Sequence, residues 1–374
     1  MAADLPLYYL LLAFLLAIPL IRFFAMRRPA PRGHGASARH PPPAPWALPV
    51  IGHLHHLAGA LPHRALRGLA RRHGPLMALR LGELRAVVAS SPAAAREVMR
   101  THDAAFASRP LSPMMALGYQ GADGIIFAPH GEGWRQLRRI CALELLSARR
   151  VSSLRAVAAA AVAAAPVNLS EGIAGYVADA TVRAIIGSRF KDRDEYLRLL
   201  QEGLKIMPGM TLPDLFPSSR LARVVSTVPG RLKRHGRRMR EFIDTIIEEH
   251  QQSRISREDD AQEEDLLDVL LRLQKEVDFQ YPLTNDNIKN ILLDMFGAGN
   301  ESSATTLQWA MAELMRNPRV MRKAQDEVRR ALAGDDRVTE DKLASLRYLP
   351  LVVKETLRLH PPAPLLLPRK CGSP

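Results

Sequence analysis

IKNILLDMFGAGNESSATTLQWAMAELM, from Ile288 to Met315, is the stretch that decides the architecture. Ile288, Ile291, Leu292, Met295, Phe296 and Gly299 recur at the spacing of one helical face, so the segment predicts a long buried helix. Its interior is unusual for one. Gly297, Ala298 and Gly299 are followed by Asn300, Glu301, Ser302 and Ser303, and glycine, asparagine and serine all lower helix stability relative to alanine and leucine. Small residues let a flat ligand approach the backbone, and a hydroxyl beside a carboxylate in an apolar helix can relay protons. The alternative is a helix crossing followed by a solvated polar turn.

The rest of the chain agrees with a mainly helical protein. It has 374 residues, 47% of them hydrophobic and only 5% aromatic, enough to bury one large core or two ordinary ones. Helical patterns run roughly over 132–148, 173–186, 193–205, 229–252, 264–276, 284–316, 318–333 and 339–359. PLMALRLGELRAVVASS, from Pro75 to Ser91, predicts a β-hairpin split by Gly82 and Glu83. Pro92 behind Ser91 predicts a helix start. The charged stretch Arg254 to Glu264 lacks apolar spacing and predicts an exposed loop. The Ala-rich run from Arg155 to Ala165 predicts further helix.

Leu5 to Met26 is apolar except for Arg22, and about 20 apolar residues can span a bilayer core. The run is long for a signal peptide and no small-residue cleavage site follows it. Residues 1–26 are therefore expected to be a single uncleaved membrane anchor. Arg22, Arg27, Arg28 and Arg32 follow the span, which places the body in the cytosol. Residues 27–49 form a proline-rich linker ending in PPPAP, stiff enough to orient the body on the membrane. The formal net charge is +14. No zinc-finger spacing or aromatic RNA-binding signature accompanies it, so the expected partners are anionic lipid or an acidic protein, and no nucleic acid.

Two further segments carry chemistry. KETLRLHP places Glu355 and Arg358 three residues apart, able to pair on one helix face, with Leu349, Val352, Val353, Leu357 and Leu359 around them to bury the pair in part. GEGWRQLRRI places Arg138 one turn after Trp134, and an indole N–H with a guanidinium can both donate to a carboxylate or phosphate. A basic helix face anchored by a tryptophan fits that spacing equally. Cys141 and Cys371, the only cysteines, suggest neither a disulfide framework nor a zinc site.

In this order, the apolar anchor, PPPAPWALPVIG, WRQLRR, AGNESS, KETLRLHP and PPAPLLLPRK make the chain resemble the cytochromes P450, the haem-thiolate monooxygenases, of plant microsomal type. The resemblance implies a helical prism with a small β region over residues 50–374, behind an N-terminal transmembrane helix in the endoplasmic reticulum membrane. It implies a haem cofactor, an NADPH-dependent reductase as electron donor, and oxidation of a small lipophilic, secondary-metabolite-like substrate. By the same resemblance Trp134, Arg138 and Arg369 contact the haem propionates and Ala298 and Gly299 form the oxygen-binding groove. Glu301 is the acid beside that groove, Ser302 the proton-delivering hydroxyl, and Glu355 with Arg358 the structural ion pair. Substrate contacts are expected from 110–127, 204–216, 294–298 and 363–367, with Met114, Met115, Leu117, Ile125, Ile126, Phe127, Met207, Met210, Leu365 and Leu366 as apolar candidates, several of them core residues.

The sequence departs from the family in three places. Serine stands at 302 where threonine is usual, keeping the hydroxyl and losing the methyl that restricts its rotamer, which predicts looser oxygen activation. Leu154 to Ala165 looks shortened. No FxxGxRxCxG-like segment occurs, and Cys371 lacks that setting. The C-terminal part of the domain, with the axial cysteine and the arginine that completes the Glu355–Arg358 network, is expected to be missing. The two functional expectations are a haem-dependent monooxygenase and a non-catalytic, membrane-anchored protein that lacks the iron's thiolate.

Overall fold

The computed structural model describes residues 41–119, 124–146, 168–186, 193–206, 210–255, 265–275, 281–333 and 340–372. The expected anchor at 1–26, most of the linker, the segment 154–165, and the charged stretch apart from Arg254 and Ile255 lie outside these. Among the described residues no helix is long and apolar enough to cross a membrane.

Helices dominate. α1 (Pro62–His73) leads into an antiparallel hairpin of β1 (Leu76–Leu81) and β2 (Leu84–Ala89), paired from Leu76 with Ala89 to Leu81 with Leu84. There follow α2 (Pro92–Arg96), α3 (Pro113–Tyr119), α4 (Glu132–Ile140), α5 (Leu169–Ile186), α6 (Arg193–Ile206), α7 (Leu212–Leu215) and α8 (Arg220–Val225). α9 (Val228–Ile255), α10 (Leu266–Lys275), α11 (Asn285–Arg316), α12 (Pro318–Ala331), α13 (Glu340–Ser345) and α14 (Leu349–Leu359) complete the order. The helices expected from the sequence do not include α1, α3, α7 and α8, although α1 buries Leu66 and Leu69 at helical spacing behind Pro62.

The hairpin turns where expected. Gly82 has φ +64°, the left-handed region that glycine enters at little cost. A side chain there would also meet the Leu215 carbonyl at 2.5 Å, because Glu83 N–H donates to that oxygen and the Glu83 carboxylate accepts from Ser218. The hairpin is thus stapled to the α7 region. Met77, Leu79 and Leu81 alternate into a small core with Leu66, Leu69 and Leu215.

The main core is built around α11. Thr284 opens it with a capping box, its hydroxyl accepting from Asn287 N–H while Asn287 Oδ1 accepts from Thr284 N–H. Ile288, Ile291, Leu292 and Phe296 are buried against Ile243, Ile246 and Ile247 of α9 and Leu267 and Leu270 of α10. α10 buries Leu266, Leu267, Val269, Leu270, Leu271 and Leu273, which is the pattern of a helix enclosed on nearly all sides.

Three boundaries differ from sequence expectation. The helix over 132–148 leaves α geometry after Ile140 and closes with a wider turn at Cys141–Leu145, where Leu146 N–H donates to the Cys141 carbonyl. α9 runs on through Arg254 and Ile255, the first residues of the expected loop. The single helix over 339–359 is broken between α13 and α14, because the Pro350 ring would clash with the Leu346 carbonyl of a continuous helix. The amides freed at the break are collected by Glu327 of α12, whose carboxylate accepts from the N–H groups of Arg347, Tyr348 and Leu349 at 2.8–3.0 Å.

Leu270→Ala, which empties a fully buried position, should lower unfolding free energy by about 2–5 kcal/mol in denaturant titrations. The amides of Tyr348, Arg347 and Leu349 hold the Glu327 carboxyl below its ordinary value. A depressed carboxylate stabilises above its unfolded pKa of about 4.3 and loses that contribution as pH falls through the folded value. Glu327→Gln should therefore melt earlier than wild type at neutral pH, and the gap should close as pH falls below about 4.3.

Candidate functional site

The buried stripe of α11 is interrupted after Phe296: Gly297, Ala298, Gly299, Glu301, Ser302 and Ser303 are exposed, and burial resumes at Ala304, Ala310 and Leu314. A β-carbon built on Gly297 would meet nothing within 4 Å, and one on Gly299 only the Thr181 Cγ2 of α5 at 3.6 Å. Neither glycine is needed for the packing of α11 on its described neighbours. That favours an opening for a ligand over the helix-crossing alternative. Asn300 Oδ1 is buried here without a hydrogen-bond partner among the described residues.

The polar groups on this turn have defined partners. Ser302 Oγ donates to the Ala298 carbonyl at 2.7 Å, Thr306 Oγ1 to the Ser302 carbonyl at 2.7 Å, and Thr305 Oγ1 approaches Glu301 Oε1 at 3.4 Å. The Ser302 hydroxyl is thus restrained by a hydrogen bond rather than by the methyl that serine lacks. Such back-bonding to the preceding turn is a common resting position for a helical serine.

One turn earlier on α11, Asp294 is buried and its Oδ2 accepts from the N–H groups of Ile125 and Ile126 at 2.7 and 3.0 Å. The Ile125 carbonyl in turn accepts from Trp134 Nε1 at 2.9 Å. The indole N–H that sequence reading offered to a carboxylate or phosphate is engaged within the protein. Trp134 also meets the His130 ring edge-on, and the Arg138 guanidinium lies 5.1 Å from the centre of the Trp134 ring.

Arg138 is not isolated. Arg369 pairs with Asp103 at 2.6 Å and reaches the Phe106 carbonyl at 3.4 Å. Arg109, which sequence reading missed, donates to the carbonyls of Leu367 and Pro368 at 3.3 and 3.2 Å. Burial first, then the Arg369 charge, and after it Arg138, hold the Arg109 guanidinium below its ordinary value against the pull of Asp103. Arg109 therefore stands within electrostatic reach of two further guanidiniums, of which Arg369 pairs with Asp103. No local pattern could have marked Arg109, since its contacts lie 258 and 259 residues away in sequence.

Glu355 and Arg358 pair in a two-pronged geometry, at 2.7 Å to Nε and 2.6 Å through the second nitrogen. The partial burial expected for them is not found: their side chains are 56% and 66% exposed, and Val353, Leu357 and Leu359 are exposed beside them. The Arg358 hydrogen bond lowers the Glu355 carboxyl, and the arginine is raised in return. Exposed pairs of this kind contribute little.

Of the apolar candidates, Met114 is core, packed with Ile206 and Leu232, and Ile125 packs onto the main core. Met115, Leu117, Ile126 and Phe127 are half-buried, Met210, Leu365 and Leu366 are exposed, and Met207 lies outside the described residues. Cys141 is buried, as expected of a small core residue. Burial, and secondarily the Asp294 charge, push its thiol up to about 12. Cys371 sits on the exposed segment tied to Ser108 and Ala105 through Lys370 N–H and Gly372 N–H.

This arrangement of a long helix with an open small-residue turn, a tryptophan and arginine beside it and a pair of the KETLR type coincides with a family assignment. The cytochrome P450 family model matches residues 41–374. The chain belongs to the cytochromes P450, a family of oxidoreductases, and its relatives are those of plants. It is 46% identical over 342 residues to desmethyl-deoxy-podophyllotoxin synthase of Sinopodophyllum hexandrum, covering 88% of this chain and 68% of that protein. It is 43% identical over 344 residues to premnaspirodiene oxygenase of Hyoscyamus muticus, covering 88% and 68%. It is 42% identical over 350 residues to germacrene A hydroxylase of Barnadesia spinosa, covering 90% and 69%.

The family's cofactor is haem, and the residues present fit two of its sides. Arg109 and Arg369, with Arg138 in electrostatic reach, offer an excess of positive charge for a dianionic edge, and the open space at Gly297 suits a flat face. Asp294→Ala would leave the Ile125 and Ile126 amides unpaired. It should lower unfolding free energy by about 2–4 kcal/mol in urea titrations.

Proposed function

We propose that this chain holds haem between the α11 opening and the arginine cluster, in the manner of a monooxygenase acting on a small lipophilic substrate of terpenoid or related secondary-metabolite type. The observation that carries it is the grouping of Arg109 with the Arg369–Asp103 pair and with Arg138 in electrostatic reach, Arg138 being linked through Trp134, Ile125 and Asp294 to the α11 turn that leads to Ala298 and Gly299. Haem, when bound and reduced, supplies the redox chemistry by which one oxygen atom of dioxygen enters a substrate. The protein's own groups do the rest. Arg138, Arg369 and Arg109 neutralise the propionates by charge-assisted hydrogen bonds, and Trp134 serves by holding Arg138 in place. Ser302 and Glu301 hold protons at the edge of the opening. The half-buried side chains of Met115, Leu117 and Phe127 offer an apolar lining that suits terpenoids better than charged metabolites.

The relatives support this substrate class by name, as a desmethyl-deoxy-podophyllotoxin synthase, a premnaspirodiene oxygenase and germacrene A hydroxylases. A reductase drawing on NADPH is the proposed electron donor, and the net charge of +14 suits an acidic docking partner or an anionic membrane surface. The apolar run at Leu5–Met26 is the proposed single anchor, in the endoplasmic reticulum membrane with the body in the cytosol.

A second reading rests on the two cysteines. Cys141 is buried with its thiol pushed up to about 12, so it stays protonated at neutral pH. Cys371 belongs to the same segment as the propionate-side Arg369. On this reading neither sulfur serves as the iron's thiolate, and residues 1–374 by themselves would bind haem or lipophilic molecules without inserting oxygen.

Expression of residues 1–374 with haem supply tests both readings. Haem should bind, and Arg138→Ala and Arg369→Ala should each weaken binding by about tenfold to a hundredfold, the loss of one charge-assisted contact of about 1.5–3 kcal/mol. Equal affinity in wild type and both variants would remove the proposed site. After reduction and addition of carbon monoxide, the second reading expects a Soret band without the shift that a thiolate ligand produces. A thiolate-type shift would refute it.

A further inference from the structure

Away from the α11 opening, the C-terminal part of α9 meets the first turn of α10 through three converging side chains. His250 Nε2 lies 2.9 Å from Asp268 Oδ1 and 3.4 Å from Asp265 Oδ2. The three atoms are mutually within 4.8 Å. Their side chains are only 13%, 16% and 9% exposed.

The carboxylates are oriented before any ligand arrives. Asp265 Oδ1 accepts from Asp268 N–H at 2.8 Å, and Asp268 Oδ2 accepts from Asp265 N–H at 3.2 Å. This reciprocal cap satisfies amides at the start of α10 and leaves the other oxygen of each carboxylate turned to the imidazole. The base is rigid, since Leu266, Leu267, Val269 and Leu270 around the two aspartates are buried in the main core.

We propose that His250, Asp265 and Asp268 bind one divalent transition-metal ion of the zinc type, which clasps α9 to α10. Donors held about 2.0–2.2 Å from a tetrahedral zinc ion stand about 3.3–3.5 Å from one another. The 3.4 Å separation to Asp265 already lies in that range, and the 2.9 Å separation to Asp268 must open by about half an ångström as the ion replaces the hydrogen bond. One imidazole nitrogen and two carboxylate oxygens suit zinc, while magnesium disfavours the imidazole and calcium needs more oxygens. Water completes the coordination on the solvent side.

The test uses the full chain in detergent, stripped with a chelator, desalted and titrated with zinc chloride by calorimetry and thermal melting. Wild type should bind one zinc ion more tightly than its surface histidines do, with a melting temperature that rises on addition. His250→Ala and Asp268→Asn should each weaken that site at least tenfold and abolish most of the rise. Asp268→Asn keeps an acceptor for the cap, so the fold survives it. His55→Ala/His56→Ala controls for the histidine patch near Trp46 and should retain the tight site. Equal binding and equal stabilisation in wild type and both ligand variants would overturn the proposal, as would the absence of any zinc-dependent rise in wild type. A measurement free of variants is carbethoxylation of histidines mapped by mass spectrometry. Substoichiometric zinc should protect His250 before His55 or His56, and protection in the reverse order overturns the site.

Discussion

The buried carboxylate of Asp294 sets the relation between the two halves of the candidate site. A charge in the interior is tolerated only where donors replace the water it has lost, and the N–H groups of Ile125 and Ile126 do so at 2.7 and 3.0 Å. The strand of loop that supplies them cannot move without unpairing a buried charge. Its own carbonyl at Ile125 receives the Trp134 indole, and Trp134 carries Arg138 on its ring. One acid on the long helix therefore fixes the loop, the tryptophan and, through it, an arginine of the cluster. The same charge, after burial, keeps the Cys141 thiol protonated, so the residue that organises the site also silences the nearest sulfur.

The long helix does two unlike jobs along its length. From the Thr284 cap to Phe296 its apolar side chains are closed in by α9 and α10. Each such side chain contributes about 1.5–3 kcal/mol by burial, against a cost of about 1 kcal/mol for each of Gly297 and Gly299 in a helix interior. The first half can thus carry a second half whose composition is poor for a helix. That excess of packing is what lets the backbone stay helical where the side chains are removed. The result is a stiff rod with a bare turn, which is the form a site needs if a flat group is to lie against main chain.

Much of this was legible in the sequence because it depends on local spacing. The stripe Ile288, Ile291, Leu292 and Phe296, the hairpin at Gly82 and Glu83, and the cap at Ser91, whose oxygen accepts from Ala94 N–H, all follow from rules acting over a few residues. The pairing of Glu355 with Arg358 was legible for the same reason. Its burial was not, since burial depends on which elements cover α14 and no spacing within α14 states that. The break at Pro350 was present in the sequence, but its stabilisation by Glu327 was not, because that acceptor comes from another helix. Arg109 and the clasp at His250 are long-range in the same sense. Residue types alone cannot tell a surface arginine or histidine from one brought to a cluster by the fold.

Arg109 shows how such a residue can be recognised once the fold is known. Arg109, Arg369 and Arg138 outnumber the one carboxylate among them, Asp103, and the signature of that excess is the depression of Arg109 by burial and by the Arg369 charge. The backbone carbonyls of Leu367, Pro368 and Phe106 hold Arg109 and Arg369 in place without neutralising them. A cluster of this kind opposes folding, because bringing the charges together raises the energy of the native state alone. Proteins retain such an arrangement where a ligand supplies the missing negative charge. A dianionic edge meeting the cluster would relieve the repulsion and gain charge-assisted hydrogen bonds in one step, so binding and stability should be coupled through these three arginines more strongly than through any apolar contact around the opening.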